Sequence, residues 1–251
     1  MSCLGLASQV KVMPGVLSPL DNRSWVSGQN SSGNIICQNQ QVNATEKRVN
    51  IMTMSELRDL NLTLISEAHT ILYDYRLLEI LKKYGNPIVH GSYLLNLMTW
   101  RDLDVYLEND ELDVKDFFSL GMDMATELKP RRMSYRNESI GKTPNLPKGL
   151  YWGVYTTLKL PDEWKIDIWA MDSDQIRSQC EKLQDLKSKI SEKNRLIILM
   201  IKSRFCRHPE YRKSFFSGDI YKSVIEENVK SVHEFSKWLK DNRGIEQTTE
   251  P

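Results

Sequence analysis

Two aspartates one residue apart, Asp102 and Asp104, interrupt the apolar end of GSYLLNLMTWRDLDVYL (residues 91–107), and a third, Asp167, stands between Ile166 and Ile168. Burying such charges costs several kcal/mol unless a cation compensates them. If 103–107 is a strand, alternation puts Leu103, Val105 and Leu107 on the core face. Asp102, Asp104, Tyr106 and Glu108 then share the other face, with the two aspartate Cα atoms roughly 7 Å apart. A second strand carrying Asp167 brings a third carboxylate to that face. Hard oxygen ligands that leave coordination sites free suit Mg²⁺ bound together with substrate phosphates. Two such ions can stabilise both the attacking and the leaving oxygen of a displacement at phosphorus. The Gly91-Ser92 turn adds backbone N–H groups at a helix start, where anions bind and a glycine permits close approach. Taken alone, an Asp-x-Asp is most often a solvated edge strand or loop, and a Gly-Ser pair says less still. The ordered set of strand, Gly-Ser, helix, Asp-Leu-Asp and a later lone Asp is what points to a site.

The elements that must position these residues follow from periodicity. Leu57, Leu60, Leu64, Ala68, Ile71, Leu72, Tyr75, Leu78 and Leu81 recur at helical spacing, which predicts one long helix over 55–84. Thr53 and Glu56 form its capping box, and Gly85 and Pro87 stop it. Ile88 to His90 reads as a short strand ending at Gly91, and Ser92 to Thr99 as two helical turns. Val114 to Leu128 reads as a helix with Phe117, Phe118, Leu120, Met124 and Leu128 inward. Residues 131–137, 149–160 and 164–170 read as strands, separated by a loop over 140–148 and a turn at Pro161-Asp162. The last third is helical: a segment capped by Asp172 or Asp174 runs toward Cys206, with 196–201 apolar on every side and so buried. Ser231 and Glu234 offer a capping box to a terminal helix with Val232, Phe235 and Leu239 on one face.

Around Gly91-Ser92, Asp102-Leu103-Asp104-Val105 and Ile166-Asp167-Ile168, the chain resembles the nucleotidyltransferase superfamily. DNA polymerase β, the poly(A)- and CCA-adding enzymes and the aminoglycoside and lincosamide nucleotidyltransferases share its catalytic domain. The resemblance covers roughly residues 85–170 and extends to the small bacterial antibiotic-modifying members. It implies an α/β (α+β) domain with a mixed sheet, over 54–170, followed by a helical C-terminal segment over 171–251. It further implies that Asp102, Asp104 and Asp167 bind two Mg²⁺ ions, Asp167 also helping to activate the acceptor hydroxyl. Gly91 and Ser92 would hold the phosphates of a nucleoside triphosphate, with ATP the expected co-substrate. Arg101 stands where many small members carry serine, and it is a candidate phosphate ligand or a solvated rim residue. The implied reaction moves a nucleoside monophosphate to a hydroxyl on a small molecule and releases pyrophosphate. Antibiotic resistance is one candidate role. Nucleotidylation of a protein or RNA, as in antitoxin-type members, is the alternative enzyme reading, and an inactive binding module is the non-enzyme one.

Composition bounds these readings. The 251 residues are 40% hydrophobic and 27% charged, with a formal net charge of +1, so nothing global marks a nucleic-acid or anionic-membrane partner. Four scattered cysteines without a CxxC pair, and an opening that lacks secretory character, set the expectation of a reducing, cytoplasmic location. No apolar run of about 18 residues is present, which argues against a membrane span. Residues 1–53 are rich in Ser, Asn, Gln and Gly, so a disordered, dispensable tail is expected there. Three further features have weaker claims. Lys202, Arg204, Arg207, Arg212 and Lys213, interleaved with Phe205, Tyr211 and Phe215, could meet triphosphate or nucleic acid but are more often a solvated helix end. The same holds for Lys129-Pro130-Arg131-Arg132. His90 could donate to phosphate, and Trp152 and Tyr155 could stack on a base, although structural roles are commoner for both.

Overall fold

The computed structural model describes residues 52–144 and 146–246. The expectation of a tail over 1–53 therefore falls, but for Met52 and Thr53, outside the described residues. The capping box is present: Thr53 Oγ1 accepts from the Glu56 N–H, and the Glu56 carboxylate accepts from the Thr53 N–H. It starts α1 (Met54–His69).

The single helix expected over 55–84 is broken. After α1 a π turn spans Thr70–Asp74, Arg76 takes a left-handed φ of 58°, and α2 (Leu77–Lys82) restarts. Leu72 and Leu77 are both fully buried. A five-residue step turns an unbroken helix well away from the face it started on, so the chain rewinds to bury both.

Five strands follow: β1 (Asn86–His90), β2 (Asp102–Glu108), β3 (Arg132–Asn137), β4 (Leu150–Thr156) and β5 (Trp164–Met171). They form one mixed sheet in the order β1-β2-β5-β4-β3, with β2 and β5 parallel and the other pairs antiparallel. This is the mixed α/β architecture the sequence implied. The strand expected over 149–160 ends at Thr156, and the two turns expected over 92–99 shrink to α3 (Gly91–Leu95), which Asn96 ends in a left-handed conformation.

On one face of the sheet, Leu103, Val105, Leu107, Ile166, Ile168 and Val154 pack against α1, α2 and α4 (Val114–Leu128) in the first apolar core. Helix α4 has the expected bounds, but Phe118 is 47% exposed. At 100° per residue it lies off the face shared by Phe117, Leu120, Met124 and Leu128. A short helix, α5 (Glu138–Gly141), follows β3 inside the stretch expected to be strand end and loop.

The C-terminal part is four helices rather than a segment and a terminal helix. Asp172 caps α6 (Ser173–Lys189), and Ser191 caps a separate α7 (Glu192–Phe205). Helices α8 (Ser217–Ile225) and α9 (Val232–Arg243) complete the layer. Ser231 caps α9 as expected, but Glu234 accepts from the Lys230 N–H rather than closing the box. Ile198, Phe215, Ile220, Phe235 and Leu239 form a second apolar core with Leu57, Leu95 and Leu97. Helix α1 thus enters both cores, through Leu57 at one end and Leu64 and Ala68 at the other. Among the described residues no helix is long and apolar enough to cross a membrane.

Candidate active site

The three aspartates meet on the sheet face away from the first core. In the parallel β2–β5 pair Asp104 stands opposite Asp167, while Leu103 and Val105 face the core with Ile166 and Ile168. One carboxylate oxygen from each of Asp102, Asp104 and Asp167 lies within 4.8 Å of the other two. Three anions this close need cations, and two are in place. The Lys165 Nζ donates to Asp167 Oδ2 and stands 3.5 Å from Asp102 Oδ1, and the Arg212 guanidinium donates to Asp102 Oδ2. The Tyr151 hydroxyl donates to Asp167 Oδ1 at 2.8 Å, and the Trp100 indole donates to Asp102 Oδ2 at 3.3 Å.

Burial and mutual repulsion set the protonation of the cluster. Asp104 is pushed up to about 7 by burial first and then by the charges of Asp102 and Asp167, against the pull of Lys165 and Arg212. Burial and Asp102 also raise Asp167, while Lys165 and the Tyr151 hydrogen bond oppose the rise. For Lys165, burial works toward a lower value, but Asp102 and Asp167 outweigh it and hold the ammonium charged. The donor set fits a hard divalent ion: the oxygens are carboxylate, they are crowded, and the buried Asp102 Oδ1 accepts no hydrogen bond.

The approach to the cluster is built from α3 and the turn after it. Gly91 has a φ of +67°, and a Cβ placed there would lie 2.1 Å from Asp104 Oδ2. Only glycine lets the β1–α3 turn lie against that carboxylate. Beyond α3, the side chain of Asn61 in α1 accepts from the Met98 N–H at 2.7 Å. The Arg195 guanidinium donates to the carbonyls of Leu95 and Asn96, and the Lys202 Nζ donates to the Leu97 carbonyl at 2.7 Å. Two helices thereby fix the segment that delivers Trp100 and Asp102. Gly153, opposite Asp167 on β4, leaves room for the Tyr151 hydroxyl, which would lie 2.4 Å from a Cβ there.

Arg101, a candidate phosphate ligand by sequence, is committed elsewhere. Its guanidinium makes two hydrogen bonds to Glu67, at 2.7 and 2.8 Å, and pairs with Asp162. It precedes β2 in the phase of Leu103, which sends it toward α1 and away from the aspartates. The basic stretch from the end of α7 onward divides: Arg212 joins the carboxylates, whereas Lys202, in the last turn of α7, is buried beneath the Trp100 ring. Burial drives Lys202 down to about 7. Within Lys129–Arg132, Arg131 pairs with Glu163, and Arg132 lies 3.8 Å over the Tyr155 ring. Trp152 is a core residue whose indole donates to the Phe117 carbonyl. His90, opposite Asp104, stacks on Tyr106 with ring centroids 4.2 Å apart, and burial lowers its proton affinity against a hydrogen bond that the ring donates to the Gln179 backbone.

Lys165, Tyr151 and Trp100 were not singled out as site residues by the sequence. Lys165 was accessible to it, because alternation alone puts it on the face of Asp167. Tyr151 and Trp100 become partners only through strand register and a loop path.

No family model matches the sequence. No curated protein matches it either. Solved structures do. A cytoplasmic RNA terminal U-transferase is 14% identical over 68% of this chain and 53% of its own, with a TM-score of 0.43. The RNA terminal uridylyl transferase Cid1 is 13% identical over 68% and 54%, with a TM-score of 0.45. A STING-associated c-di-GMP synthase, CdnE from Capnocytophaga granulosa, is 14% identical over 79% and 70%, with a TM-score of 0.42. The chain spans about half the length of the two uridylyl-transferring enzymes.

Proposed function

We propose that the protein is a Mg²⁺-dependent nucleotidyltransferase that moves a nucleoside monophosphate from a nucleoside triphosphate, ATP in the first instance, to a hydroxyl of a small molecule. The observation that carries this reading is the convergence of Asp102, Asp104 and Asp167 from two adjacent parallel strands beside the Gly91 turn. In this reading Asp102 and Asp104 hold the ions that carry the triphosphate, and Gly91 and Ser92 hold its phosphates. Asp167, opposite Asp104 on the adjacent strand, would ligate beside them and take up the acceptor proton. The acceptor oxygen bonds to the α-phosphorus, the bond to the bridging oxygen breaks, and pyrophosphate leaves. Bound Mg²⁺ would supply charge stabilisation at the attacking and leaving oxygens. Tyr151 keeps Asp167 in one orientation, and Trp100 does the same for Asp102. Residues 54–170 form the catalytic part, and the helical layer that follows shapes the acceptor side. A reducing, cytoplasmic setting accompanies this reading.

Mg²⁺ with a nucleoside triphosphate should raise the melting temperature of the wild type and do so much less for Asp104→Asn. Equal shifts in both would remove the metal assignment. A pyrophosphate-release screen over the four nucleotides and a library of small alcohols, aminoglycosides and lincosamides then identifies the acceptor. Arg132 over Tyr155, on the site face of the sheet, favours a second reading in which the hydroxyl belongs to a nucleic-acid end, because a cation stacked on an aromatic ring suits a base and its phosphate. Turnover of an oligoribonucleotide and of no small acceptor would select it.

A further inference from the structure

Two resident cations meet the three carboxylates, and the position of that charge is specific. The Lys165 ammonium reaches two aspartates at once, hydrogen-bonding Asp167 Oδ2 and standing 3.5 Å from Asp102 Oδ1. Its side chain is 23% exposed and extends from β5 two residues before Asp167, so the strand itself keeps the amine on this face. Arg212 is placed differently. It touches Asp102 alone, at Oδ2, and lies near the rings of Trp100 and Tyr211 at the rim. Asp104 receives no hydrogen bond from either cation. The resident charge is therefore concentrated between Asp102 and Asp167, where a divalent ion shared by those two residues would have to stand.

We infer that Lys165 is a built-in competitor of the divalent ion: it neutralises Asp102 and Asp167 while the site is empty of metal, and an ion bridging them displaces it. Two like charges cannot share the space between the same oxygens. Once displaced, the amine remains tethered to β5 beside the cluster, within reach of the anions that arrive with the ion. Lys165 then contacts a phosphoryl oxygen in place of the carboxylates it has lost. The arrangement explains how three crowded acidic side chains are accommodated in a folded, metal-free chain. It also makes metal affinity a difference between two cations rather than a property of three oxygens.

The inference rests on the proposed metal site, and calorimetric titration with Mn²⁺ alone, without nucleotide or turnover, separates the two. Removing a neighbouring positive charge changes a carboxylate's cation affinity on the scale by which it changes proton affinity, one or more powers of ten. Lys165→Met should accordingly bind Mn²⁺ about tenfold tighter or more, and its metal-free melting temperature should fall because the aspartates lose their counter-charge. Lys165→Arg should restore both the wild-type stability and the weaker binding. If wild type and Lys165→Met bind Mn²⁺ equally well, or the variant binds more weakly, the competition is overturned while the metal site stands. If neither binds Mn²⁺, the nucleotidyltransferase reading loses its metal and the inference falls with it.

Discussion

The sheet supplies the three carboxylates and one cation, Lys165, while the helical part supplies the second cation, Arg212, and they do so by different means. All three aspartates lie on β2 and β5, spaced by the two-residue period of a strand, so their convergence follows from local alternation and one strand pairing. The helical layer supplies Arg212 to Asp102 across 110 residues of sequence and Lys202 to the Leu97 carbonyl across 105. Those contacts depend on how α7, α8 and the loop between them pack, which no short spacing encodes. Charges set by a local period and charges set by tertiary packing respond differently to mutation.

The largest effect should come from the sheet side. Asp104→Asn should lower pyrophosphate release by roughly 10³-fold or more. Its metal-free melting temperature should hold or rise, since a buried, crowded carboxylate has gone. Turnover within tenfold of wild type would take the chemistry away from the sheet. On the helical side, Phe235→Ala removes a fully buried ring and should cost about 3–5 kcal/mol in urea unfolding. Because α1 belongs to both cores, the variant should still unfold in a single transition. Two resolved transitions would show that the layers are separable.

Arg101→Ala addresses a cation that serves the fold instead of the site. Leaving Glu67 buried beside the Trp164 indole without its guanidinium should cost about 2 kcal/mol of stability. The KM for the nucleotide should stay where it was. A raised KM with unaltered stability would return Arg101 to the phosphates.

The remaining effect is on pH dependence. Lys202 releases its proton more readily in the folded chain, near pH 7, than at the ordinary 10.5 of an unburied lysine. Between those values the unfolded chain binds more protons, so this residue makes stability climb as pH rises through the window. Lys202→Met should flatten the climb in melting temperature measured from pH 7 to 10. An unchanged slope would mean that the buried amine does not titrate there.

What the sequence disclosed follows the same division. The faces of β2 and β5, the bounds of α4 and the Thr53 cap were legible because each rests on neighbours within a few residues. The break between α1 and α2 was hidden, since Leu57 to Leu81 satisfy a helical period approximately, and only the burial of both Leu72 and Leu77 shows why the chain rewinds. Arg101 and Arg212 were both visible as basic residues. Which of them meets Asp102 depends on the phase of β2 and the path of the chain after α7, and Arg101, though adjacent in sequence, is on the wrong side of the sheet.

Helix α1 has a consequence for anyone who would cut this protein in two. A break in the backbone between β5 and α6 leaves a leading fragment with the three aspartates and the sheet, but also with Leu57, Leu95 and Leu97 stripped of the helices that cover them. The trailing fragment keeps Arg212 and Lys202 and an apolar surface shaped to those same leucines. Each half carries the adhesive for the other, so the junction offers a split protein whose regained fold reports that its halves have met.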